Sequence, residues 1–189
     1  RVSTAPTARA SSWRHVRSQP WTQSGRGPSD GMHWPSRTTP SAGTWLAASA
    51  IIAVMAAVMT ITVRDETATW DEPGYLASGY SYWLTGRYDM IPEHPPLARL
   101  LQSLPLRLIH HPQLDTNSPE WKRSEFVMVG NLFLYRNTAS PDAMLFAGRM
   151  VSIAMALSFA VYLAWWTRRR FGDAAGITAL ALYAFDPNI

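Results

Sequence analysis

The chain has 189 residues, a formal net charge of +4 and no cysteine, which excludes disulfides and thiolate metal sites. Its mean hydropathy of −0.10 is typical of a soluble protein, but the apolar residues are concentrated in blocks. Residues 1–42 carry six arginines and one aspartate, whereas residues 64–142 carry seven basic and ten acidic residues. This segregation of charge favours a membrane protein over a nucleic-acid-binding protein.

The first 42 residues are predicted to form a disordered cytoplasmic tail. They are rich in Ser, Thr, Pro, Gly and Arg and show no apolar periodicity. Such a segment cannot bury enough apolar surface to offset the entropy lost on ordering.

Residues 43–63 contain no charged side chain and are long enough to cross a bilayer once, so they are predicted to form transmembrane helix 1. A signal peptide is the competing interpretation. The run starts deep in the chain and lacks a clear cleavage site of small residues, so we expect an uncleaved helix.

A second apolar run, residues 144–167, is predicted to form transmembrane helix 2, with Arg149 reaching from its start to the interface. Residues 168–173 are the predicted cytoplasmic turn, and residues 174–189 are the predicted start of a truncated transmembrane helix 3. Arginines on both the tail and the turn place these two segments in the cytoplasm. The segment 64–143 is then extracytoplasmic, as in a multi-pass protein of the bacterial inner (plasma) membrane.

The extracytoplasmic segment contains three predicted amphipathic helices, over residues 73–85, 95–104 and 119–135. The first begins at a cap formed by Asp71 or Glu72 and stops at Gly86. Its expected apolar face contains Leu76, Tyr80, Trp83 and Leu84, and that of the second contains Leu97, Leu100, Leu101 and Leu104. These faces suit either the lipid interface or packing against further helices of the same protein.

Asp71 and Glu72 are the first candidates for chemistry. Neighbouring residues on a helix do not face each other, so the two are not the opposed carboxylates of a glycosidase. One carboxylate can instead take a proton from an acceptor while the other positions a substrate. A solvated cap at the membrane interface is the alternative.

Three cations are candidates for binding a phosphate. His94 precedes two prolines, which remove N–H donors from the helix start, so a protonated imidazole would have to supply the attraction. Alternatively, His94 is only a helix cap. Arg87 and Arg99 offer bidentate contacts to a phosphate, or they pair with Asp89 or Glu93. No metal-ligand spacing is recognised, and the divalent-metal requirement stays open.

The stretch DEPGYLASGYSYWLTGRYDMIPEHPPLARLL, residues 71–101, resembles the first outer loop of phospholipid-carrier-dependent glycosyltransferases. This family includes protein O-mannosyltransferases and lipid A aminoarabinose transferases. Its members carry an Asp-Glu pair after the first transmembrane helix, then an aromatic helix, a Gly-containing turn and a basic-Pro-Pro-Leu step. NLFLYRN at 131–137 and RRRFGDAAGITALALYAFDPN at 168–188 are similar to the bacterial branch.

The resemblance implies an all-α membrane protein, the N-terminal part of a GT-C type multi-pass fold with amphipathic interfacial helices in its first outer loop. The implied activity is inverting transfer of a sugar from a polyprenyl-phosphate carrier to a protein, lipid or glycan acceptor, without a cofactor or nucleic acid. Asp71 matches the catalytic aspartate and Glu72 its acceptor-side neighbour. His94 stands where the aminoarabinose branch has Lys at the carrier phosphate. The family's second acidic site lies beyond Ile189, so the 189 residues are expected to be inactive alone.

Two other classes of protein remain open. One is a small membrane-anchored protein that binds lipid or a partner and has no catalytic activity. The other is a transporter fragment in which Asp71 and Glu72 are proton-coupling carboxylates.

Overall fold

The computed structural model describes residues 39–186, and this part of the chain is all-helical, with seven α-helices. Apart from residues 39–42, the predicted cytoplasmic tail lies outside the described residues. The end of the predicted third transmembrane helix, residues 187–189, lies outside them as well.

Two of the helices are long and apolar enough to cross a membrane: α1, Ala42–Asp65, and α6, Pro141–Phe171. At a rise of about 1.5 Å per residue they span about 36 Å and about 46 Å, against a hydrocarbon core of about 30 Å. Helix α1 begins at Ser41, whose Oγ accepts a hydrogen bond from the Thr44 backbone N–H at 3.1 Å. Length and composition make these two helices candidates for crossing a membrane.

The connection between α6 and the next helix is shorter than the predicted turn at 168–173. The three arginines form the last turn of α6, and Gly172 alone separates it from α7, Asp173–Ala184. Gly172 has a φ of 92°, a conformation that glycine adopts without steric penalty. Positive side chains are favoured in the last turn of a helix because the carbonyl ends there carry partial negative charge, so the arginines extend the helix.

Helices α1, α6 and α7 pack against one another around a small apolar core. Met55, Ala160 and Leu180, one from each helix, are its buried members. Helix α7 spans only about 18 Å at helical rise, less than a bilayer core.

The segment between the two long helices contains the other four α-helices: α2, Glu72–Thr85; α3, Leu97–Pro105; α4, Pro119–Lys122; and α5, Phe126–Tyr135. Helix α3 continues into a π-helical turn, Leu106–His110. The end of α2 at Gly86 is confirmed, with the glycine at a φ of 67°. A second core joins α2, α5 and the start of α6.

Helix α2 packs against α3 and α5, and its Leu76 also meets Gly148 of α6, so it is buried on more than the one predicted face. Leu76 and Tyr80 of the predicted apolar face are buried, whereas Trp83 and Leu84 of the same face are exposed. A Cβ atom at Gly79 would overlap the carbonyl oxygen of Arg99. The glycine therefore permits the close approach of α2 and α3.

The leucine-rich face of α3 points outward. Leu97 and Leu101 are exposed, whereas Arg99 and Ser103 are buried against α2. A charged residue is buried here because the backbone carbonyls of the preceding loop receive its guanidinium. The outward leucines are available to lipid or to another polypeptide.

The single helix predicted for residues 119–135 is wrong, because the chain breaks between α4 and α5. Ser124 adopts a φ of 54° at the break. Trp121 and Phe126 both pack against the core that contains α2. In one continuous helix they would point about 140° apart, and the break lets both side chains reach the same core.

Candidate functional site

The candidate site lies where the chain leaves α1 and enters α2. Asp71 occupies the N-cap position of α2, but its carboxylate makes no capping hydrogen bond to the helix. The hydroxyl of Thr69 donates to Asp71 Oδ1 at 3.4 Å. Asp71 is half-buried, and its charge is favoured at the positive end of the α2 dipole.

Glu72 is held by Arg149 of α6. The Arg149 Nε donates to Glu72 Oε1 and its Nη2 to Glu72 Oε2, each at 2.7 Å. The same guanidinium donates to three backbone carbonyls at the C-terminal end of α1 and just after it: Val63 at 3.0 Å, Glu66 at 2.7 Å and Thr67 at 3.0 Å. Arg149 therefore ties α6 to the end of α1 and the start of α2.

This contact changes the interpretation of both residues. Arg149 was predicted to reach towards the interface, and in the structure its side chain is only 11% exposed and pairs with Glu72. Both oxygens of Glu72 are already engaged, which suits a structural role. The acceptor-side role of Glu72 stays a prediction.

Tyr75 connects Asp71 with the loop before α3. Its ring meets the His94 ring edge-on, with centroids 6.0 Å apart, and the Arg99 guanidinium lies 5.9 Å from its centroid. Burial raises the pKa of the Tyr75 phenol first, and the charge and hydrogen-bonding of the Asp71 carboxylate raise that pKa further. We call Asp71, Tyr75, His94 and Arg99 the Tyr75 cluster.

Arg99 is the buried member of the Tyr75 cluster, with 4% of its surface exposed. Its Nη2 donates to the carbonyl of His94 and, at 3.4 Å, to that of Ile91. The guanidinium also lies 5.4 Å from the ring centroid of Tyr82. Among the described residues it makes no ion pair with Glu93 or Asp89, so that alternative is wrong. Arg99 holds the loop that presents His94.

His94 is the exposed cation candidate of the cluster. The alternative interpretation of His94 as a helix cap is wrong, because α3 is capped by Pro96 without a side-chain hydrogen bond. The imidazole is therefore not used by the helix.

Arg87 is not brought to the Tyr75 cluster. It follows Gly86 at the C-terminal end of α2 and pairs with Asp89, as the sequence allowed. Helix α2 has 14 residues, so this end lies about 21 Å along the axis from Asp71. Its predicted contact with the same phosphate is not supported by this position.

Two residues of the site were missed by sequence reasoning. Tyr75 lies four residues after Asp71, and helical spacing alone puts the two on one face. Arg149 had a weaker signal, a single charge in an apolar run, which did not identify Glu72 as its partner.

No group of three or more His, Asp or Glu side chains able to hold a metal occurs among residues 39–186. A cavity of about 640 Å³ lies beside α4 and α5, lined in part by Asp115, Glu120 and Arg136. None of the predicted site residues lines this cavity, so it is separate from the Tyr75 cluster.

No protein-family model, curated protein or solved structure matches this chain. The resemblance to carrier-dependent glycosyltransferases therefore rests on the motif residues alone.

Proposed function

We propose that this chain carries the donor and acceptor site of an inverting membrane glycosyltransferase of the GT-C type, which uses a polyprenyl-phosphate sugar. One observation supports this most: Asp71 raises the pKa of the Tyr75 phenol, and the exposed His94 meets the same ring edge-on, in the segment that follows α1. An acid and a cation are thus held together beside a helix long enough to cross a bilayer.

The location suits a lipid-linked donor. Helix α1 ends at Asp65, six residues before Asp71. With α1 across the membrane and residues 64–143 outside, the prenyl chain stays in hydrocarbon while the phosphate and sugar reach the Tyr75 cluster. Arginines at the opposite end of α6 support this orientation, because basic residues are concentrated on the cytoplasmic side.

Asp71 and His94 have different roles in the proposed reaction. Asp71 accepts the proton of the acceptor hydroxyl while that oxygen forms a bond to the anomeric carbon of the sugar. The bond from this carbon to the phosphate oxygen breaks, and its electrons leave with the polyprenyl phosphate. Attack opposite the phosphate inverts the anomeric centre.

The leaving phosphate needs positive charge rather than a strong acid. His94 is exposed and supplies it directly when protonated. Arg99 is buried beneath the loop, so it contributes its charge from behind and fixes the His94 backbone. Glu72 orients the entry to α2 through Arg149 and leaves Asp71 as the base.

Substitution of Asp71 tests the assignment. In the complete protein, reconstituted with a labelled polyprenyl-phosphate sugar, Asp71→Asn is expected to abolish transfer and preserve membrane insertion. Asp65→Asn is the matched control, since Asp65 is an exposed acid at the end of α1. Near wild-type transfer by Asp71→Asn would refute the base assignment.

Substitution of His94 tests the phosphate contact. His94→Lys is expected to keep transfer and to flatten its decline at alkaline pH, because an ammonium stays charged where an imidazole does not. An inactive but correctly inserted His94→Lys protein would contradict the phosphate role.

A second candidate function is lipid or partner binding without catalysis. It is favoured by the exposed apolar side chains of α3 and the π-helical turn, Leu97, Leu101, Leu108 and Ile109. If a well-inserted complete protein shows no transfer from several lipid-linked sugars while Leu97→Asp/Leu101→Asp weakens its association with vesicles, this second function is the correct one. A transporter with two proton-coupling carboxylates fits less well, because Glu72 is paired with Arg149.

A further inference from the structure

The cavity beside α4 and α5 has the size of a small-molecule site. Its volume of about 640 Å³ lies within the range of about 300–1,000 Å³ for such sites. One wall is formed by Val129, Leu132, Phe133 and Arg136, which have the spacing of a single helical face. The other wall is formed by side chains of the loop at 113–118 and of the first turn of α4.

Side-chain hydrogen bonds fix the loop wall against α5. Asn137, two residues after the end of α5, donates from Nδ2 to the Gln113 carbonyl at 2.7 Å, and its Oδ1 accepts from the Gln113 N–H at 3.0 Å. Within the loop, Asp115 Oδ1 accepts from the Asn117 N–H at 2.9 Å, and the Ser118 hydroxyl donates to the Asp115 carbonyl at 3.2 Å. The cavity is therefore preformed, and a ligand would lose little free energy in ordering its walls.

Charges of opposite sign line the two walls without pairing. Among the described residues, Arg136 forms no ion pair, and neither Asp115 nor Glu120 forms one. Glu120 is half-buried, and its charge acts on Arg123, but the Arg123 guanidinium is paired with Glu125 at 2.7 Å. The loop wall thus offers two carboxylates to a ligand, and the α5 wall offers one guanidinium.

This arrangement is complementary to a zwitterion. The Arg136 guanidinium can donate two parallel hydrogen bonds to a carboxylate, and Asp115 and Glu120 can accept hydrogen bonds from an ammonium. Leu114 and Leu132 provide apolar surface for a hydrocarbon side chain. A ligand with only a positive charge would leave Arg136 without an anion. A ligand with only a negative charge would face the two carboxylates without a cation of its own.

We propose that this cavity binds a free α-amino acid with an apolar side chain. The carboxylate of the ligand lies at Arg136, its ammonium lies at Glu120 and Asp115, and its side chain packs on Leu114 and Leu132. The proposal depends neither on sugar transfer nor on α1 and α6 crossing a bilayer, because none of the residues of the Tyr75 cluster and none of those two helices lines the cavity.

Three related probes test the two charge contacts in the wild-type chain. The chain is purified in mild detergent, and binding is titrated by saturation-transfer nuclear magnetic resonance. L-Leucine carries both charges, L-leucinamide lacks the carboxylate, and 4-methylpentanoate lacks the ammonium. We expect saturable binding of L-leucine and at least about tenfold weaker binding of each of the other two, because each loses hydrogen bonds between charged groups.

Two variants assign each contact to a side chain. Arg136→Gln should weaken L-leucine binding by about tenfold and abolish its advantage over L-leucinamide, while the preference over 4-methylpentanoate remains. Glu120→Gln should do the reverse, reducing the preference over 4-methylpentanoate and keeping that over L-leucinamide. Arg107→Gln and Glu66→Gln are matched controls, since each removes one charge from an exposed position outside the cavity and should change no affinity.

Circular dichroism and melting temperature establish that the variants fold, and the three probes on the wild type give a result that needs no variant. Absence of saturable L-leucine binding would overturn the proposal, as would equal affinities for the three probes. Tighter binding of glucose than of L-leucine would identify a sugar site and overturn it as well. An equal loss of L-leucine binding in Arg107→Gln would show that the contact is not made at Arg136.

Discussion

The guanidinium of Arg149 donates two hydrogen bonds of 2.7 Å to the carboxylate of Glu72, although 77 residues separate the two in sequence. The same guanidinium donates hydrogen bonds to three backbone carbonyls at the C-terminal end of α1 and just after it. One side chain of α6 thus sets where α1 ends and α2 begins. Asp71 lies within this junction, so the position of the proposed base depends on the contact.

Loss of this ion pair should destabilise the protein. Glu72→Gln leaves Arg149, which is 11% exposed, without its anion, and we expect a loss of about 2 kcal/mol in unfolding free energy. Thermal unfolding followed by circular dichroism measures the change, with Glu66→Gln as the exposed control. The double variant Glu72→Gln/Arg149→Gln should cost less than the sum of the two single variants. Additive losses would show that the pair is not coupled.

The Tyr75 phenol should report the charge of Asp71. Its pKa is raised by burial and then by Asp71, so Asp71→Asn should lower that pKa towards the ordinary 10.0 without reaching it. Glu93→Gln, the smallest contributor to the increase, should lower it less. Nuclear magnetic resonance titration of ¹³C-labelled tyrosine, assigned with Tyr75→Phe, measures both shifts. If the pKa of Tyr75 were unchanged in the Asp71→Asn variant, the Asp71 carboxylate would not lie close to the phenol.

The same shift predicts the pH dependence of stability. A phenol whose pKa is raised in the folded state stabilises the fold fully below pH 10.0, the ordinary pKa. This contribution is lost as the pH rises through the folded-state pKa. Tyr75→Phe should therefore lose less stability than the wild type above pH 10, which denaturant unfolding at several pH values can measure. If the stability of Tyr75→Phe declined as steeply as that of the wild type, groups other than Tyr75 would be responsible for the loss.

The contact of α2 with α3 should tolerate no side chain at Gly79. A Cβ atom there overlaps the Arg99 carbonyl, so Gly79→Ala must separate the helices, at an expected cost of about 1–3 kcal/mol. Gly43→Ala is the control, because its Cβ would meet only Ser41 Oγ, at an ordinary 3.7 Å. Melting temperatures of the two variants test this difference. Equal melting temperatures would mean that the helices are not in close contact at Gly79.

Substitution of the two arginines predicted to bind phosphate, Arg99 and Arg87, should have different effects on sugar transfer. Arg99→Gln releases the His94 loop and should reduce sugar transfer by the complete protein by at least about tenfold. Arg87→Gln removes only an exposed pair with Asp89 and should leave transfer unchanged. Initial rates with a labelled lipid-linked sugar make the comparison. An equal loss in both variants would extend the phosphate site to the C-terminal end of α2.

The features that could be predicted from the sequence depend only on residues close together in the chain. The apolar runs indicated both long helices, because length and the absence of charge suffice for such an element. Gly86 indicated the end of α2, because only glycine adopts its left-handed backbone easily. The spacing of Asp71 and Tyr75 was also readable, since helical period is a local property.

The partners of charged side chains were beyond sequence analysis. Arg149 meets Glu72, and Arg99 meets the His94 carbonyl, only after the helices have packed. The break between α4 and α5 has the same cause, because Trp121 and Phe126 share a core that does not exist in the isolated segment.

Sequence by itself determined that this protein has two apolar helices of membrane length and an acidic segment between them, because composition and period are properties of the chain. Only the tertiary structure decided that His94 contacts Tyr75, the residue next to Asp71 on one face of α2. It also decided that Glu72 pairs with Arg149 and that Arg87 pairs with Asp89 outside the Tyr75 cluster. The physical reason is that the position of a charged side chain depends on the group it pairs with in space, and the packing of the helices decides which group that is.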